Sequence, residues 1–306
     1  MALSENKQDI QAFWGALYDS LYDDGGEEIS LDQLLEGLDA LEDMFRLRRH
    51  MAVIEMPLDS LKGKQVLEIG PGAGGHSAMF ARHGAIVTAV DITQVRADAT
   101  AAKFKTLGAD DCVAMQGDAE DLPFEDNTFD IVYSNGVLHH TTSTETALDE
   151  VFRVLKPGGR AVILLYCKSS WHYWINMWLC VGVLKGKLLS GKNWLGRATE
   201  WGGKNKQSVE NPITRCFTQG GIRKLFARFN KLTLRKGEFY FYLIPILGGL
   251  YRRWQIKHYG THPGGYLVYG KPWPIQSPLE QWLGGVMGFA WYISAEKPYG
   301  NPEKIS

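Results

Sequence analysis

A short stretch near residue 70 has the residue types of a ligand-binding turn. Residues 66–75 read VLEIGPGAGG, so Glu68 is followed by Gly70, Gly72 and Gly74. Glycines in such a turn let the backbone approach a ligand closely, and a helix that follows offers free N–H groups at its first turn. The spacing also satisfies GxGxxG, which alone is weak evidence for a dinucleotide site. A tight strand-to-helix turn without a ligand would explain the glycines equally well.

Carboxylates follow the next two β-rich runs. Asp91 stands 21 residues after Gly70, where a carboxylate can accept hydrogen bonds from both ribose hydroxyls. Asp118 lies in GDAEDLPF at 117–124, in position to recognise an adenine amino group. Glu68, two residues before the first glycine, would repel a pyrophosphate but can hold the ammonium of an amino-acid moiety. Together these carboxylates favour a nucleoside joined to a cationic amino-acid group over a dinucleotide.

The elements that must position these residues alternate along the chain. Five β-rich runs, QVLEI, AIVTAV, CVAMQ, FDIVYS and RAVILLY, are separated by helical segments, among them those that follow Thr93 and Ser143; the second is expected to end at Pro157 and Gly158. This alternation predicts a parallel sheet built from βα units. Later in the chain, a helix capped by Thr218 precedes two further strands, KLTLRKG and GFAWYIS.

Five motifs in register give the chain a family resemblance. VLEIGPGAGG, VTAVDIT, GDAEDLPF, FDIVYSNGVLHH and VLKPGGRAVILLY, spread over residues 65–166, resemble those of class I S-adenosylmethionine-dependent methyltransferases, especially the ubiquinone/menaquinone-biosynthesis-like small-molecule branch. The resemblance implies an α/β fold with a Rossmann-like, mostly parallel sheet and an antiparallel final strand. It also implies S-adenosyl-L-methionine as the cofactor, and we expect an N-terminal helical cap and aromatic lid insertions around this core.

The resemblance assigns a role to each matching residue. Glu68 would orient the methionyl amino group through the loop, Asp91 would bind the ribose, and Asp118 would read the adenine. The other implied contacts are Gly70, Gly72 and Gly74 under the cofactor, Ile92 on the adenine, the backbone of Ala119 at the adenine, and Asn135 near the methionyl group. Ordinary core packing stays open as the alternative for Ile92.

Candidate proton acceptors stand at the ends of the fourth and fifth strands. His139 and His140 follow the fourth strand, at the edge where open α/β sheets bind their ligands, and either can serve as a general base. A base is needed only if the acceptor must lose a proton. The alternative is that one imidazole caps a helix and the other packs beneath the cofactor. Tyr166 and Cys167 are weaker candidates, and Tyr166 is equally expected to be core.

Several functional classes are disfavoured. SNGV follows the fourth strand in place of (D/N)PP(Y/F/W), which argues against methylation of nucleobase amines, and we expect no nucleic-acid partner. The four cysteines form no CxxC pair and have no histidine at ligand spacing, so we expect no metal site and no disulfide framework. The N-terminus has no apolar signal core, and the cytoplasm is the expected compartment.

The net charge of −1 hides an uneven distribution. Residues 1–60 carry 14 acidic and 4 basic side chains, whereas residues 201–260 carry 12 Lys/Arg against Glu210 and Glu238. The basic segment can meet the acidic helices of the same chain, an anionic substrate or a membrane surface, and the sequence leaves these alternatives open.

Nine of the ten tryptophans lie in residues 171–306, and three of them in SSWHYWINMWLC at 169–180. The apolar run from Trp171 to Leu184 has 14 residues and includes His172 and Asn176, so a membrane span, which needs about 20, is disfavoured. Trp171, Trp174 and Trp178 fall on one face at α-helical spacing. In the resembled family this segment forms part of a lid over the acceptor, so these three are candidate substrate-binding residues, together with Trp14 and Tyr18.

A second apolar run, FYFYLIPILGGLYRRW at 239–254, is consistent with a pocket wall or with a surface that dips into a bilayer interface. WGGKNKQSVENPITRCF at 201–217 resembles a stretch found in methyltransferases of this branch with a C-terminal extension, without naming an acceptor. We predict four regions: a helical cap (1–60), the cofactor-binding core (61–166), an aromatic lid (167–217), and the last helix and strands (218–306) with a second insertion at about 239–284.

The predicted activity is S-adenosylmethionine-dependent methyl transfer to a hydrophobic or aromatic small molecule. Open alternatives are methylation of a membrane-embedded lipid or quinol, a cofactor-binding pseudoenzyme that regulates a partner, and a dinucleotide oxidoreductase. The acceptor atom, the oligomeric state and any peripheral contact with a membrane are not determined by the sequence.

Overall fold

The computed structural model describes residues 5–21, 29–189, 194–196, 211–262 and 273–300. Its helices are Glu5–Leu21 (α1), Leu31–Arg48 (α2), Met51–Ile54 (α3), Gly75–Arg82 (α4), Gln94–Leu107 (α5), Thr144–Val154 (α6), Gln219–Leu225 (α7), Gly248–Tyr259 (α8) and Pro278–Met287 (α9), with a π-helix over His172–Leu184. Its strands are Gln65–Ile69 (β1), Ile86–Asp91 (β2), Val113–Gln116 (β3), Phe129–Asn135 (β4), Leu155–Tyr166 (β5), Asn230–Gly237 (β6), Thr261–His262 (β7), Trp273–Pro274 (β8) and Ala290–Glu296 (β9). The apolar spacing of the first 60 residues predicts two helices with a break near Gly25 and Gly26; that break lies outside the described residues, as do residues 201–210 of the WGGKNKQSVENPITRCF stretch.

Seven strands form the main sheet in the order β3-β2-β1-β4-β5-β9-β6. The first five pair in parallel, and β9 runs antiparallel to both β5 and β6. The predicted Rossmann-like sheet, mostly parallel with an antiparallel final strand, is confirmed. Because β1 to β5 share one direction, their carboxyl ends meet at one edge of the sheet, and the candidate residues follow those ends.

Alternate residues of each central strand enter two separate cores. Val66 and Tyr133 pack on the face covered by α2 and α4, whereas Leu67 and Val132 pack on the face covered by α6 and α7. A parallel sheet that is buried on both faces needs apolar residues at nearly every position, which explains the apolar runs in the sequence.

Helix ends follow local capping chemistry. Ser30 and Gln33 form a capping box at the start of α2, and the Thr218 side chain accepts a hydrogen bond from the Gly221 N–H at 3.1 Å, as predicted for α7. The helix predicted to end at Pro157 ends earlier, at Val154, since Leu155 already pairs with Phe129 of β4. The backbone preceding a proline disfavours the helical conformation, so the chain passes directly into β5.

The chain between β6 and β9 forms an excursion from the sheet. It contains a 3₁₀ turn at Phe241–Leu243, α8, the short antiparallel pair β7 and β8, and α9. These elements lie where an insertion at about 239–284 is expected, and the four region boundaries stay a prediction. A bidentate ion pair between Glu55 and Arg235, with both N–O distances 2.7 Å, joins the acidic N-terminal region to the basic segment.

Candidate functional site

A cavity of about 640 Å³ opens at the carboxyl edge of the sheet. Six of the residues predicted to contact the cofactor line one end: Gly70, Asp91, Ile92, Asp118, Ala119 and Asn135. The other end is lined by rings from distant parts of the chain: Phe45, His50, Tyr166, His172, Tyr240, Tyr242 and Phe289. The cavity therefore brings together residues that are separated by more than 200 positions in the sequence.

Asp91 is a buried and oriented carboxylate at the end of β2. Its Oδ1 accepts hydrogen bonds from the backbone N–H and the hydroxyl of Thr93, both at 2.8 Å. Burial raises the pKa of Asp91, while the hydrogen bonds from Thr93 and from the backbone of Gly72 oppose that rise. These contacts hold the carboxylate in one orientation at the wall of the cavity.

Gly70, Gly72 and Gly74 all have left-handed backbone conformations, and Gly70 and Gly74 contact different neighbours. Gly70 lines the cavity, and a Cβ there would collide with the side chain of Val137. Gly74 caps α4, and a Cβ there would lie 2.8 Å from the Cα of Thr100. Gly74 therefore permits close packing of α4 on α5, and Gly70 permits the close approach of Val137 at the cavity wall.

Glu68 lies beneath the turn, and its neighbour His76 lines the cavity. The Ser77 hydroxyl donates to Glu68, and the His76 Nδ1 stands 3.6 Å from the Glu68 Oε1. Burial raises the pKa of Glu68 to about 8 and lowers the pKa of His76 to about 4. The carboxyl is not part of the cavity wall, and its action on a ligand through the loop stays a prediction.

Helix α1 contacts the cofactor end of the cavity. Lys7 forms ion pairs with Asp118 and with Glu120, the latter at 3.3 Å, and the Gln11 amide donates to the Ile92 carbonyl at 2.7 Å. Burial alone would lower the pKa of Lys7, but the hydrogen bond and ion pair with Asp118 raise it overall.

Sequence reasoning missed these α1 contacts. A signal was present, because Lys7 is the only Lys or Arg among the first 45 residues. Trp14, a predicted substrate-binding residue on the same helix, lines the cavity with its ring 5.0 Å from that of His140. Tyr18 lies in α1, but its side chain is outside the described residues.

The two histidines after β4 occupy different places. His140 lines the cavity, and its Nδ1 lies 2.9 Å from the Ile213 carbonyl, while burial lowers its pKa to about 4. His139 is fully buried, with its ring centroid 4.1 Å from that of His140 and 3.9 Å from that of Tyr166. Burial also holds the pKa of His139 well below its ordinary value. His140 and Tyr166 therefore reach the cavity, and His139 packs behind them.

The polar partners of His140 come from a segment that lies more than 70 residues later in the chain. Besides Ile213, the Asn211 amide and the Thr214 hydroxyl lie 3.1 and 3.2 Å from its Nδ1. These residues belong to the NPITR part of a stretch that the sequence singled out. No spacing rule connects it to His140, since about 70 residues separate them.

The far end of the cavity combines rings with one ion pair. Arg48 and Glu238 both line it and pair at 2.6 Å, and the Tyr292 hydroxyl donates to Glu238 at 2.6 Å. Burial lowers the pKa of His172 to about 4 and that of His50 well below its ordinary value, so both imidazoles are neutral at physiological pH. This end offers aromatic faces and neutral hydrogen-bonding groups.

The structure differs from the prediction for the tryptophans after β5. Trp171 packs beside Phe239, with ring centroids 5.9 Å apart, while Trp174 and Trp178 are 48% and 39% exposed. None of the three is among the residues that line the cavity. The physical reason is the π-helix: its buried residues, Tyr173, Met177 and Gly182, repeat at intervals of four and five, so a face assigned at α-helical spacing does not persist.

Comparison with known proteins identifies the core. Residues 67–163 match a family described as a methyltransferase domain. The ubiquinone/menaquinone biosynthesis C-methyltransferase of Haemophilus ducreyi is 39% identical over 112 residues, which are 35% of this chain and 43% of that protein. The demethylmenaquinone methyltransferase of Streptomyces avermitilis is 34% identical over 156 residues, 50% of this chain and 61% of that protein. The chain thus spans less than two thirds of the length of either relative.

A solved structure supports the fold over nearly the whole chain. The geranyl diphosphate C-methyltransferase of Streptomyces coelicolor, in complex with Mg²⁺, geranyl diphosphate and S-adenosyl-L-homocysteine, superposes with a TM-score of 0.55 at 16% identity, covering 97% of this chain and 99% of that one. At this identity the likeness concerns the fold alone.

The cavity fits the cofactor of this family, S-adenosylmethionine. Asn135 Oδ1 is buried in its wall, where His50 contacts it, and a carbonyl oxygen with two lone pairs can also accept a hydrogen bond from a ligand. Gly70 lines the cavity without a side chain of its own, and Asp91 presents a carboxylate held by Thr93. With the matched motifs, the sheet order and this donor set in place, residues 67–163 form a methyltransferase domain, and the chain is similar to the ubiquinone/menaquinone methyltransferases over a third to a half of its length.

Proposed function

We propose that this protein transfers a methyl group from S-adenosylmethionine to a hydrophobic or aromatic small-molecule acceptor. One observation carries the proposal: a single cavity joins the end lined by Asp91 and Ala119 to the end lined by Tyr240 and Phe289. The names of the relatives, which refer to quinone biosynthesis, support an acceptor of this kind. Action in the cytoplasm stays a prediction.

The cofactor, when bound, supplies an electrophilic methyl group on its sulfonium. In this proposal Asp91 accepts hydrogen bonds from the ribose hydroxyls, and Asp118 with the backbone of Ala119 contacts the adenine. The buried Asn135 Oδ1 accepts from the methionyl ammonium, a charge-assisted hydrogen bond. Ile92 packs on the adenine, and its carbonyl is held in place by Gln11 of α1.

The chain contributes to the rate mainly by alignment. Methyl transfer is an in-line displacement, so holding the acceptor close and aligned in a site that excludes water supplies much of the rate. Trp14 from α1 and the rings of Tyr242 and Phe289 are placed to cover a planar or apolar acceptor. Neutral His172, whose Nδ1 lies 2.8 Å from the Asn176 amide, offers a hydrogen bond to the acceptor without a charge.

His140 is the proposed general base where the acceptor must lose a proton. In the tautomer whose Nδ1–H donates to the Ile213 carbonyl, the neutral imidazole keeps its lone pair on Nε2. The low pKa of His140, caused by burial, keeps this ring unprotonated at neutral pH. Tyr166, beside it in the wall, is the alternative base.

Calorimetry tests the cofactor assignment. We expect S-adenosylmethionine to bind and NAD not to bind. Asp91→Asn should weaken cofactor binding by roughly 1.5 to 3 kcal/mol, the scale for hydrogen bonds to a charged group. Asp98→Asn, a change at an exposed position of α5, is the matched control and should leave the affinity unchanged. Tight NAD binding without S-adenosylmethionine binding would overturn the proposal.

Mass spectrometry then identifies the acceptor class. Extracts incubated with the protein and isotopically labelled S-adenosylmethionine should yield a labelled apolar product. Labelling only of peptides or nucleotides would contradict the proposed acceptor while leaving the cofactor assignment intact.

A further inference from the structure

Large apolar side chains project outward from two elements beside the cavity. On the π-helix, Trp174 and Leu184 are 48% and 72% exposed. On the segment that leads into and through α8, Ile246, Leu250 and Trp254 are 96%, 64% and 44% exposed. Clustered exposure on this scale marks an interaction surface rather than the scattered apolar residues of an ordinary protein surface.

These two elements adjoin each other. The Asn176 side chain of the π-helix donates a 2.8 Å hydrogen bond to the Leu243 carbonyl, just before Ile246. His172 and Tyr242, from the same two segments, line the cavity. The outward residues therefore lie next to the far end of the cavity, where the acceptor is proposed to bind.

The charge of these segments has a single sign. Residues 169–189 and 239–262 contain no Asp or Glu, but they contain five Lys or Arg residues: Lys185, Lys187, Arg252, Arg253 and Lys257. On α8, Leu250, Arg253, Trp254 and Lys257 are spaced i, i+3, i+4 and i+7, and all four are exposed. One helical face thus alternates apolar and cationic side chains toward solvent.

The composition of this surface indicates which kind of partner can bind to it. A second copy of the chain in a two-fold dimer would place the same cations against each other, with no carboxylate in these segments to pair with them. The cores of protein interfaces are also depleted in lysine. A mixture of Trp and Leu with Lys and Arg is typical of protein surfaces that lie in the headgroup region of a membrane. No helix among the described residues is long and apolar enough to cross a bilayer.

We propose that this face, formed by Trp174, Trp178, Leu184, Ile246, Leu250, Arg253, Trp254 and Lys257, docks on the surface of an anionic lipid bilayer. The apolar side chains enter the interface, and the cations attract the negative lipid surface. The docking does not depend on the enzymatic activity. If the proposed methyl transfer also holds, the docked cavity can take apolar acceptors from the bilayer without passage through water.

Vesicle co-sedimentation of the full chain tests the docking. We expect binding to vesicles of phosphatidylcholine mixed with phosphatidylserine at low salt, and much weaker binding to phosphatidylcholine alone or at high salt. Arg253→Glu with Lys257→Glu should weaken binding to the anionic vesicles by roughly tenfold or more. Trp174→Ser with Trp178→Ser should weaken binding to a similar extent without removing the salt dependence.

Tyr299→Ser provides the matched control. Tyr299 is an exposed aromatic residue next to Gly158, at the end of the sheet opposite the cavity, and its replacement should leave vesicle binding unchanged. Calorimetry with S-adenosylmethionine shows in parallel whether each variant is folded, because the proposed cofactor contacts do not include the substituted residues. Loss of cofactor binding would therefore count against the proposed function and not against docking.

Three outcomes would overturn the docking proposal. One is failure of the folded wild-type chain to bind anionic vesicles at low salt, which would favour a protein partner. Another is equal vesicle binding by the wild type and both double variants. The third is light scattering that shows a wild-type dimer which the tryptophan variant converts to a monomer, since the face would then be an interface between copies.

Discussion

The two ends of the cavity are built differently. At the cofactor end, Gly70, Asp91, Asp118 and Asn135 each stand at or just after the end of a strand within residues 65–135. At the acceptor end, the wall combines residues as far apart as Phe45 and Phe289. The first end depends on local motifs along one edge of a parallel sheet, whereas the second depends on how distant segments fold back. Changes at the two ends should therefore separate cofactor binding from acceptor binding.

The largest expected effect concerns the boundary between the two ends. His140→Ala should lower turnover by about 10²- to 10⁴-fold, the range for loss of a general base, with nearly unchanged affinity for S-adenosylmethionine. Steady-state kinetics and calorimetry on the same protein measure both quantities.

His139→Ala is the comparison variant, because His139 is buried behind His140. We expect it to lower the melting temperature and to reduce turnover less than His140→Ala does. Equal losses of turnover and cofactor affinity in the His140 variant would instead mark that residue as structural. A larger loss in Tyr166→Phe would transfer the role of base to Tyr166.

A smaller effect is expected within the acceptor end. Tyr242→Ala removes a ring from the cavity wall and should raise the KM for the acceptor about tenfold, while cofactor affinity stays the same. Trp174→Ala removes an exposed ring outside the wall and should leave the KM for a water-soluble acceptor almost unchanged. The reverse result would return the tryptophans to the role that the sequence predicted for them.

The smallest expected effect is on the free energy of unfolding. Its dependence on pH has opposite signs for the buried histidines and for Glu68. Burial lowers the pKa values of His76, His140 and His172 to about 4 in the folded protein, below the ordinary 6.5. The unfolded chain then binds more protons, so stability falls as the pH drops from 6.5 toward 4. Glu68, with its pKa raised by burial from 4.5 to about 8, retains a proton in the folded state. Its contribution to stability is lost as the pH rises from 4.5 through 8.

Thermal melts of the protein without cofactor measure both limbs. We expect a maximum in melting temperature at mildly acidic pH and a decline of a few degrees on either side. Glu68→Gln should reduce the alkaline decline and preserve the acidic one. An unchanged alkaline limb in this variant would show that Glu68 is already ionised in the folded protein.

The sequence alone determined the sheet and the cofactor end, because both follow from local rules. Apolar runs predict buried parallel strands, and the carboxyl ends of such strands meet at one edge, so Asp91, Asp118 and Asn135 had to lie near Gly70. Thr218 was placed at the start of α7 because a hydroxyl at that position satisfies free backbone N–H groups.

Only the tertiary structure decided the rest. Lys7 reaches Asp118, and Asn211 reaches His140, across 111 and 71 residues, and no periodicity carries information over such separations. Packing decided that Trp174 and Trp178, whose ring centroids are 5.8 Å apart, share an exposed face of the π-helix, because Tyr173 and Met177 occupy its buried face. The acceptor wall was likewise decided by packing, since Phe45, Tyr242 and Phe289 meet only after the segments that carry them fold against the finished sheet.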